Sequence, residues 1–362
     1  GFEDGPALEA RFNSPQGMVK MGDGAIIIAD HCKHRIRKLF KGVVTTIAGG
    51  EDGFADGPGA DARFHGPGGV ALDAQGRLLV TDHGNRQIRL MTSDGETTTI
   101  GGVDGPKFEG FPAGIAVAKD GTVFVSTSND SHTVCILSPD GTITTLAGGE
   151  EEGFADGRGE AARFKEPTGM AMGPDGRLYV ADQGNDSIRC VDREGNVSTV
   201  AGRPWEDGAR RESIDGDLTV ARFEAPCAVA VASDGTIYVG ELDSVRRIRE
   251  GTVSTVCRCE GGVRGLFLDE SEGLLYATSG DRIITVAVDT ALQAFLTRVD
   301  PVLRTWCLMQ EERAQMIPAA EAEDARAARA VGAGGIGAEG QRGRAARVHH
   351  WQRVGEVHGV RN

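Results

Sequence analysis

The chain has 362 residues with 39 basic and 53 acidic side chains, so its net charge is −14. Its 53 glycines exclude a long helical protein, while 40% hydrophobic residues suffice for a sizeable core. No apolar run approaches the ~18–20 residues of a membrane span, and the acidic excess disfavours nucleic acid as a partner. Because the sequence starts at Gly1 without a leader pattern, we expect it to be part of a larger multidomain protein.

The cysteines are odd in number and scattered, which does not fit a disulfide framework. Cys257 and Cys259 form the one close-spaced pair, and a single intervening residue is too tight for a zinc knuckle. We therefore predict that most cysteines are small buried apolar residues, and we favour a cytosolic location. The seven are Cys32, Cys135, Cys190, Cys227, Cys257, Cys259 and Cys307.

Internal repetition is the strongest pattern in the chain. The hexamer Ala-Arg-Phe-x-x-Pro occurs at 10–15, 62–67, 162–167 and 221–226, with a degenerate copy at 108–112. Gly-Phe-x-Asp-Gly precedes three of these copies, at 1–5, 53–57 and 153–157. Such spacing indicates a repeated structural unit of about 40–50 residues.

Each unit predicts four short antiparallel strands. In the second unit these are Gly69–Asp73, Arg77–Thr81, Gln87–Met91 and Glu96–Ile100, and Asp94-Gly95 is typical of a hairpin turn. We call them strands A to D in chain order. Six such units predict an all-β, six-bladed β-propeller over residues 1–289, although no fourth strand is visible in the sixth unit.

Two segments carry a resemblance to a known family. Val180-Ala-Asp-x-Gly-Asn-x-x-Ile-Arg189 and the matching run Val80–Arg89 resemble NHL repeats, and Ile28–Arg37 is a looser copy. The resemblance implies a β-propeller that usually serves protein interaction or RNA binding and sometimes catalysis. The third and fifth units depart from the pattern, since Ser126–His132 lacks the Asp and Glu241 replaces it.

The C-terminal residues 290–362 differ from the repeats in composition. We predict one or two short helices up to Pro318, followed by a low-complexity segment rich in Ala, Gly and Arg. This composition cannot build a packed core. The sequence therefore predicts a partly helical or disordered tail after residue 289.

Strand order places all B–C loops and D–A linkers on one face of such a propeller. This face carries most of the length and polarity variation, which is where function is usually found. Its linkers are acidic, so we expect a basic peptide or protein segment as partner, with no membrane. The acidic positions are Glu51, Asp52, Asp56 and Asp61, then Glu150, Glu151, Glu152, Asp156 and Glu160, then Glu206, Asp207, Asp215 and Asp217.

The candidate binding residues combine these linkers with the ends of the B strands. Asp30, Asp82 and Asp182 can alternatively accept loop amide hydrogens and so hold the turn, as Asx turns do. His31 and His83 follow two of them directly. The full candidate set is Asp30, His31, Asp82, His83, Asp182, Glu241, Asp56, Asp156, Glu150, Glu151 and Glu152.

Metal chemistry has little support in the sequence. A zinc-dependent lyase would need histidines from three units, but the slots matching His31 and His83 hold Ser128, Gln183 and Leu242. A calcium-dependent lactonase could use Asp182 and Glu241. We therefore predict a non-enzymatic interaction platform without a cofactor or catalytic residues. A calcium-dependent hydrolase or lyase and an RNA-binding module remain the alternatives.

Overall fold

The computed structural model describes residues 2–100, 107–206 and 208–288, which form six antiparallel sheets. Each sheet comes from one contiguous stretch of chain, and its full-length strands pair in sequence order. The first three sheets contain β1 (Gly5–Pro6), β2 (Pro15–Lys20), β3 (Ile26–Asp30), β4 (Arg35–Phe40) and β5 (Val43–Gly49); β6 (Pro67–Leu72), β7 (Leu78–Asp82), β8 (Gln87–Met91) and β9 (Thr97–Ile100); and β10 (Phe111–Val117), β11 (Val123–Ser128), β12 (His132–Leu137) and β13 (Ile143–Gly149).

The other three sheets repeat the plan. They contain β14 (Gly157–Arg158), β15 (Pro167–Met172), β16 (Leu178–Asp182), β17 (Ser187–Val191) and β18 (Asn196–Gly202); β19 (Gly216–Asp217), β20 (Ala228–Val231), β21 (Ile237–Gly240), β22 (Ser244–Arg249) and β23 (Thr252–Arg258); and β24 (Val263–Asp269), β25 (Leu274–Ser279) and β26 (Arg282–Ala287).

The six sheets are the blades of a closed β-propeller, as the repeats predict. Their first full strands, β2, β6, β10, β15, β20 and β24, pack against one another in that order, and β24 also packs against β2. The short strands β1, β14 and β19 belong to linkers and pair along the outer edge of the blade that follows. The sixth blade has three strands among the described residues, in agreement with the weak signal for a fourth.

Small residues allow the inner strands to approach backbone to backbone. A Cβ atom added at Gly114 would lie 2.2 Å from the Thr168 carbonyl oxygen of the next blade. At the junction of the last and first blades, one added at Gly265 would lie 2.0 Å from the Gln16 carbonyl oxygen. The sixth junction of the ring therefore uses the same kind of glycine contact as the junction between the third and fourth blades.

Hydrophobic side chains fill the spaces between neighbouring blades. The Phe of each Ala-Arg-Phe hexamer is buried there, and Phe64, Phe164 and Phe223 have no exposed surface. Phe64, for example, packs with Ile27 and Ile36 of the first blade and Val80 of the second. Burying a phenylalanine side chain contributes about 1.5–3 kcal/mol, so the repeated hexamer ties each blade to its neighbour.

The cysteine prediction is confirmed in part. Cys135, Cys190 and Cys259 are buried, whereas Cys227 and Cys257 are half-buried and Cys32 is exposed. Cys307, the predicted tail 290–362 and the acidic linker residue Asp207 lie outside the described residues. Within the part of the chain that is described, no helix is long and apolar enough to cross a membrane.

Candidate functional site: the loop face and the channel mouth

The B–C loops and the linkers meet on one face of the ring, which we call the loop face. The Gly84 amide of one loop donates to the His65 carbonyl of the linker at 2.8 Å, and Gly184 donates to Lys165 in the same way at 2.8 Å. The A–B and C–D hairpins lie at the other ends of the strands, on what we call the turn face. The arrangement expected from strand order is confirmed.

Each B–C loop of the repeat type is a single short turn. In the second blade, His83–Asn85 form one turn of 3-10 helix and Arg86 follows in the left-handed region at φ +57°. Asp82 precedes the turn, and its Oδ1 accepts the His65 amide at 2.7 Å. Its Oδ2 accepts the Asn85 amide group at 2.9 Å, so Asp82 fixes both the loop and the linker.

A fully buried arginine lies beneath this loop. Arg89 Nη1 donates to Asp82 Oδ2 at 2.8 Å, and Arg89 Nη2 donates to Asp56 Oδ1 at 2.6 Å. Asp56 comes from the linker and also accepts the Thr99 amide at 3.1 Å, which attaches the linker to the outer strand. The guanidinium lies 4.9 Å and 5.0 Å from the ring centres of Phe54 and Phe64.

The same cluster recurs in three other blades. Each contains a buried arginine from strand C, a carboxylate from the end of strand B and a second carboxylate from the linker, with nitrogen–oxygen distances of 2.5–2.8 Å. The members are Arg37 with Asp30 and Asp4, Arg189 with Asp182 and Asp156, and Arg246 with Glu241 and Asp215.

These clusters assign a structural role to many of the predicted binding residues. The carboxylates at the strand ends have no exposed surface, so a ligand on the loop face cannot reach them; they are Asp30, Asp82, Asp182 and Glu241. Asp56 and Asp156 remain partly exposed, but each holds an arginine and a threonine of its own blade. The alternative role as acceptors of amide hydrogens is the one that the structure shows for the aspartates.

The sequence analysis gave no role to the arginines at the centre of these clusters. The linker carboxylate lies 33 residues before the arginine in three of them, Asp4–Arg37, Asp56–Arg89 and Asp156–Arg189. In the fourth, Asp215–Arg246, the separation is 31 residues. The sequence therefore contains a recurring spacing between opposite charges that could have indicated the pairs.

The third blade replaces the whole cluster rather than one partner. Thr127 occupies the position of Asp182, opposite the proline of strand A, and Cys135 occupies the position of Arg189. Thr127 Oγ1 bonds with the hydroxyls of Ser131 at 2.8 Å and Thr133 at 2.7 Å. Because a lone buried charge is costly, exchanging both charged groups for hydroxyl and thiol groups keeps the interior satisfied.

A channel runs through the centre of the ring and opens on the loop face. Its cavity of about 370 Å³ is within the range of small-molecule sites. The walls are the glycine-rich inner strands, and the polar side chains at the mouth come from five blades and a linker: His31, His83, Ser128, Gln183, Glu166 and Arg264.

The two histidines at the mouth are neutral at physiological pH. Burial lowers the pKa of His83 to about 4, with smaller contributions from His31 and His65. Burial also lowers the pKa of His31, whose Nδ1 lies 3.2 Å from the Pro67 carbonyl oxygen. Their rings meet edge to face with centres 5.9 Å apart. They therefore offer the channel neutral, partly apolar surface.

The donor set does not favour a metal ion at these positions. Among the described residues, no group of three or more His, Cys, Asp or Glu side chains converges as metal ligands would. Asp182 and Glu241, the calcium candidates, already bind the guanidinium groups of Arg189 and Arg246. A cation at either carboxylate would have to compete with a buried arginine.

The exposed acidic positions lie elsewhere on the loop face. Glu150 and Glu151 are exposed and make no ion pair among the described residues, whereas Glu152 pairs with Lys165 at 2.9 Å.

In the fifth blade, Leu242 is 52% exposed and lies between Glu241 and Asp243. Burial raises the pKa of the adjacent Glu224, and repulsion from Asp243, Glu241 and Asp186 adds to it. Arg246 pairs with Glu241 and Arg258 pairs with Asp243, so among the described residues Glu224 is the carboxylate of this group that makes no ion pair.

The closed ring of four-stranded blades defines the class of protein as a six-bladed β-propeller. A family model described as NHL repeat matches residues 164–191, which contain the Asp182–Arg189 cluster. NHL repeat-containing protein 2 of Bos taurus is 28% identical over 292 residues, covering 67% of this chain and 40% of that protein. The chain is thus a six-bladed β-propeller that contains an NHL repeat at residues 164–191 and is similar to NHL repeat-containing protein 2.

Two further comparisons concern length and fold. The chloroplastic protein SUPPRESSOR OF QUENCHING 1 of Arabidopsis thaliana is 26% identical over 270 residues, covering 66% of this chain and 26% of that protein. The chain thus spans less than half of these curated relatives. The solved structure of a putative gluconolactonase has a TM-score of 0.56 at 18% identity, covering 76% of this chain and 89% of that one, which shows a shared fold.

Proposed function

We propose that this propeller is a protein-binding module of a larger protein and that its loop face docks a basic segment of the partner. The observation that carries the proposal is Leu242, an exposed apolar side chain whose amide donates to the Glu224 carbonyl at 3.2 Å. An apolar anchor next to a carboxylate without an ion pair suits a peptide that combines a hydrophobic side chain with Lys or Arg.

The free carboxylates Glu150 and Glu151 support the same polarity. They lie on the linker into the fourth blade, on the face that carries Leu242, and have no ion-pair partner among the residues the structure describes. A basic segment could neutralise them without displacing an existing ion pair. Two other carboxylates of that linker are engaged, since Glu152 holds Lys165 and Asp156 holds Arg189.

A charge-reversal experiment tests the proposal. The double variant Glu150→Lys/Glu151→Lys should weaken binding of a Lys- and Leu-containing peptide about tenfold, since two exposed attractions become repulsions of up to ~1 kcal/mol each. Fluorescence anisotropy at low and physiological salt measures this, because exposed charges are screened within ~8–10 Å. The matched control is Glu96→Lys/Glu194→Lys, two exposed carboxylates on the turn face with the same change in charge.

The same assay separates the RNA-binding alternative. Single-stranded RNA should bind more weakly than the peptide at physiological salt, since phosphate recognition relies on several free Lys or Arg side chains. Micromolar binding of RNA by the unmodified protein, or peptide binding that the Glu150/Glu151 reversal leaves intact, would contradict the proposal. Substitution of Leu242 by Ser should weaken peptide binding without changing its salt dependence.

The calcium-dependent alternative has its own test. We expect a chelator to leave the melting temperature unchanged, because Arg189 and Arg246 already neutralise Asp182 and Glu241. A fall of several degrees that calcium reverses would favour a lactonase-like use of the channel mouth. That result would leave the peptide assay interpretable, since Glu150 and Glu151 take no part in the arginine clusters.

A further inference from the structure

Two cysteine side chains touch at the outer edge of the fifth blade. The Sγ atoms of Cys257 and Cys259 are 3.8 Å apart, within sulfur–sulfur hydrogen-bonding distance. Cys257 is half-buried at the end of β23, and Cys259 is 9% exposed just beyond the strand. We propose that Cys257 and Cys259 form a reversible disulfide when a low-molecular-weight disulfide oxidises the protein, making this pair a redox-sensitive element of the propeller.

The other blades show that this pair is a local departure from the repeat. At the register position of Cys257, opposite the buried residue of strand C, the first, third and fourth blades carry Ala48, Ala147 and Ala201. The next residue there is a glycine with φ between +81° and +91°, at positions 49, 148 and 202. The fifth blade has Arg258 instead, without a positive φ, so its chain leaves the outer strand differently and brings Cys259 back over Cys257.

The backbone geometry is compatible with a bond between these neighbours. Two residues apart in a straight strand, Cα atoms are about 6.6–6.8 Å apart, at the upper limit for a disulfide. Here a bulge makes Cys257 pair with Val245 and Thr255 pair with Arg246, so Val256 is an extra residue that bends the strand. Cys259 lies outside the ladder and is held by its amide, which donates to the Asp243 carbonyl at 2.6 Å.

The two thiols have different chemical roles in the exchange. The hydrogen bond from Cys259 lowers the pKa of Cys257, and the same bond raises the pKa of Cys259. The half-buried Cys257 is therefore the better nucleophile, and the buried Cys259 is the resolving thiol. Arg258 points to Asp243, which it contacts at 2.8 Å, rather than neutralising the thiolate.

The reaction balances with a small disulfide as the oxidant. The Cys257 thiolate attacks one sulfur of the oxidant, whose sulfur–sulfur bond breaks and releases one thiolate. Cys259 then loses its proton to solvent and attacks Cys257 Sγ, which breaks the mixed disulfide and releases the second thiolate. Two electrons pass from the protein to the oxidant, and two protons pass to the released thiolates.

Mass spectrometry after oxidation tests the proposal. The full chain is reduced, exposed to oxidised glutathione, quenched in acid and alkylated. The expected product has lost two hydrogens and carries two fewer alkyl groups than the reduced protein. Cleavage after glutamate then releases residues 251–260, which contain both cysteines and no other. Trypsin cuts this peptide after Arg258 into two pieces that stay joined only if the disulfide is present.

Variants assign the roles of the two thiols. Cys259→Ser should stop at a mixed disulfide that adds glutathione to Cys257, and Cys257→Ala, which restores the residue of the other blades, should abolish the reaction. The matched control Cys32→Ser removes an exposed thiol and should keep the loss of two hydrogens. Full alkylation of both cysteines in the oxidised wild type, or an unlinked 251–260 digest, would overturn the proposal even if a variant failed to fold.

Discussion

Arg89 and Asp82 form an ion pair at 2.8 Å with neither side chain exposed to solvent. The guanidinium is also bound by Asp56 from the linker at 2.6 Å, so one cation connects two strands and the segment that enters the blade. Four of the six blades contain this arrangement. It keeps the loops of the loop face in one conformation, which is what a docking surface requires.

Removing the buried arginine should destabilise the protein strongly. Arg89→Met leaves Asp82 buried without its cation, which we expect to cost about 3–5 kcal/mol of the free energy of unfolding. Urea denaturation followed by circular dichroism measures the loss. Glu51→Ala removes the exposed partner of Arg63 and should change the free energy of unfolding by no more than about 1 kcal/mol. Equal losses in the two variants would contradict a structural role for Arg89.

The third blade suggests a variant that repairs such a loss. Asp182→Thr and Arg189→Cys each break a buried ion pair, whereas the double variant recreates the residues found at Thr127 and Cys135. We expect the double variant to be more stable than the Arg189→Cys single variant, because no unpaired charge stays buried. A double-mutant cycle on urea midpoints measures the coupling, and strictly additive losses would refute it.

His83 should make the stability depend on pH. Its pKa is about 4 in the folded protein, below the ordinary value of 6.5, because burial disfavours the charged form. The unfolded state therefore binds the proton first, and stability present above pH 6.5 is lost as the pH falls towards 4. After discounting for partial exposure, the loss should be about 1–2 kcal/mol.

The substitution His83→Gln isolates this effect. Glutamine occupies the matching position 183 in the fourth blade, so the side chain suits the loop. The variant should show a flatter pH dependence of the urea midpoint between neutral and acidic pH. A pH dependence of the urea midpoint that is unchanged in His83→Gln would contradict the assignment.

The junction between the last and first blades should be sensitive to a single methyl group. Gly265→Ala places a Cβ atom 2.0 Å from the Gln16 carbonyl oxygen, so the inner strands must separate. Overpacking of this kind costs about 1–3 kcal/mol. Thermal denaturation should show a lower melting temperature, whereas Gly22→Ala, with no atom within 4 Å of the new Cβ, should not. An unchanged midpoint for Gly265→Ala would mean that the ring tolerates a wider junction.

The sequence predicted the blades because each unit is local. Alternating β-branched residues and Asp-Gly turns specify strands and hairpins within a few residues, and the hexamer repeats mark the unit length. The buried arginines were not predicted, although Asp82 lies only seven residues before Arg89 and Asp56 lies 33 residues before it. An arginine in strand C is normally expected to face solvent, and only the fold brings Asp56 over its guanidinium.

Among the predicted binding residues, the aspartates that repeat from blade to blade have a structural role. Repetition marks a residue that every blade needs, so Asp30, Asp82 and Asp182 belong to the framework. Residues that occur once carry the differences between blades, and Leu242 and Cys259 are of this kind. The sequence shows the close spacing of Cys257 and Cys259, but the exposure of Leu242 and the contact between the two sulfur atoms are visible only in three dimensions.

The coincidence of repeat and blade has an evolutionary consequence. Every described sheet uses one contiguous stretch of chain, and the linker that enters a blade bonds to that blade through Asp4, Asp56, Asp156 or Asp215. Duplication or loss of one genetic unit would therefore add or remove a complete blade without breaking hydrogen bonds inside its neighbours. At five of the six junctions an inner glycine meets the backbone of the next blade, and this contact depends little on side-chain identity, so we expect blades of different sequence to be exchangeable there.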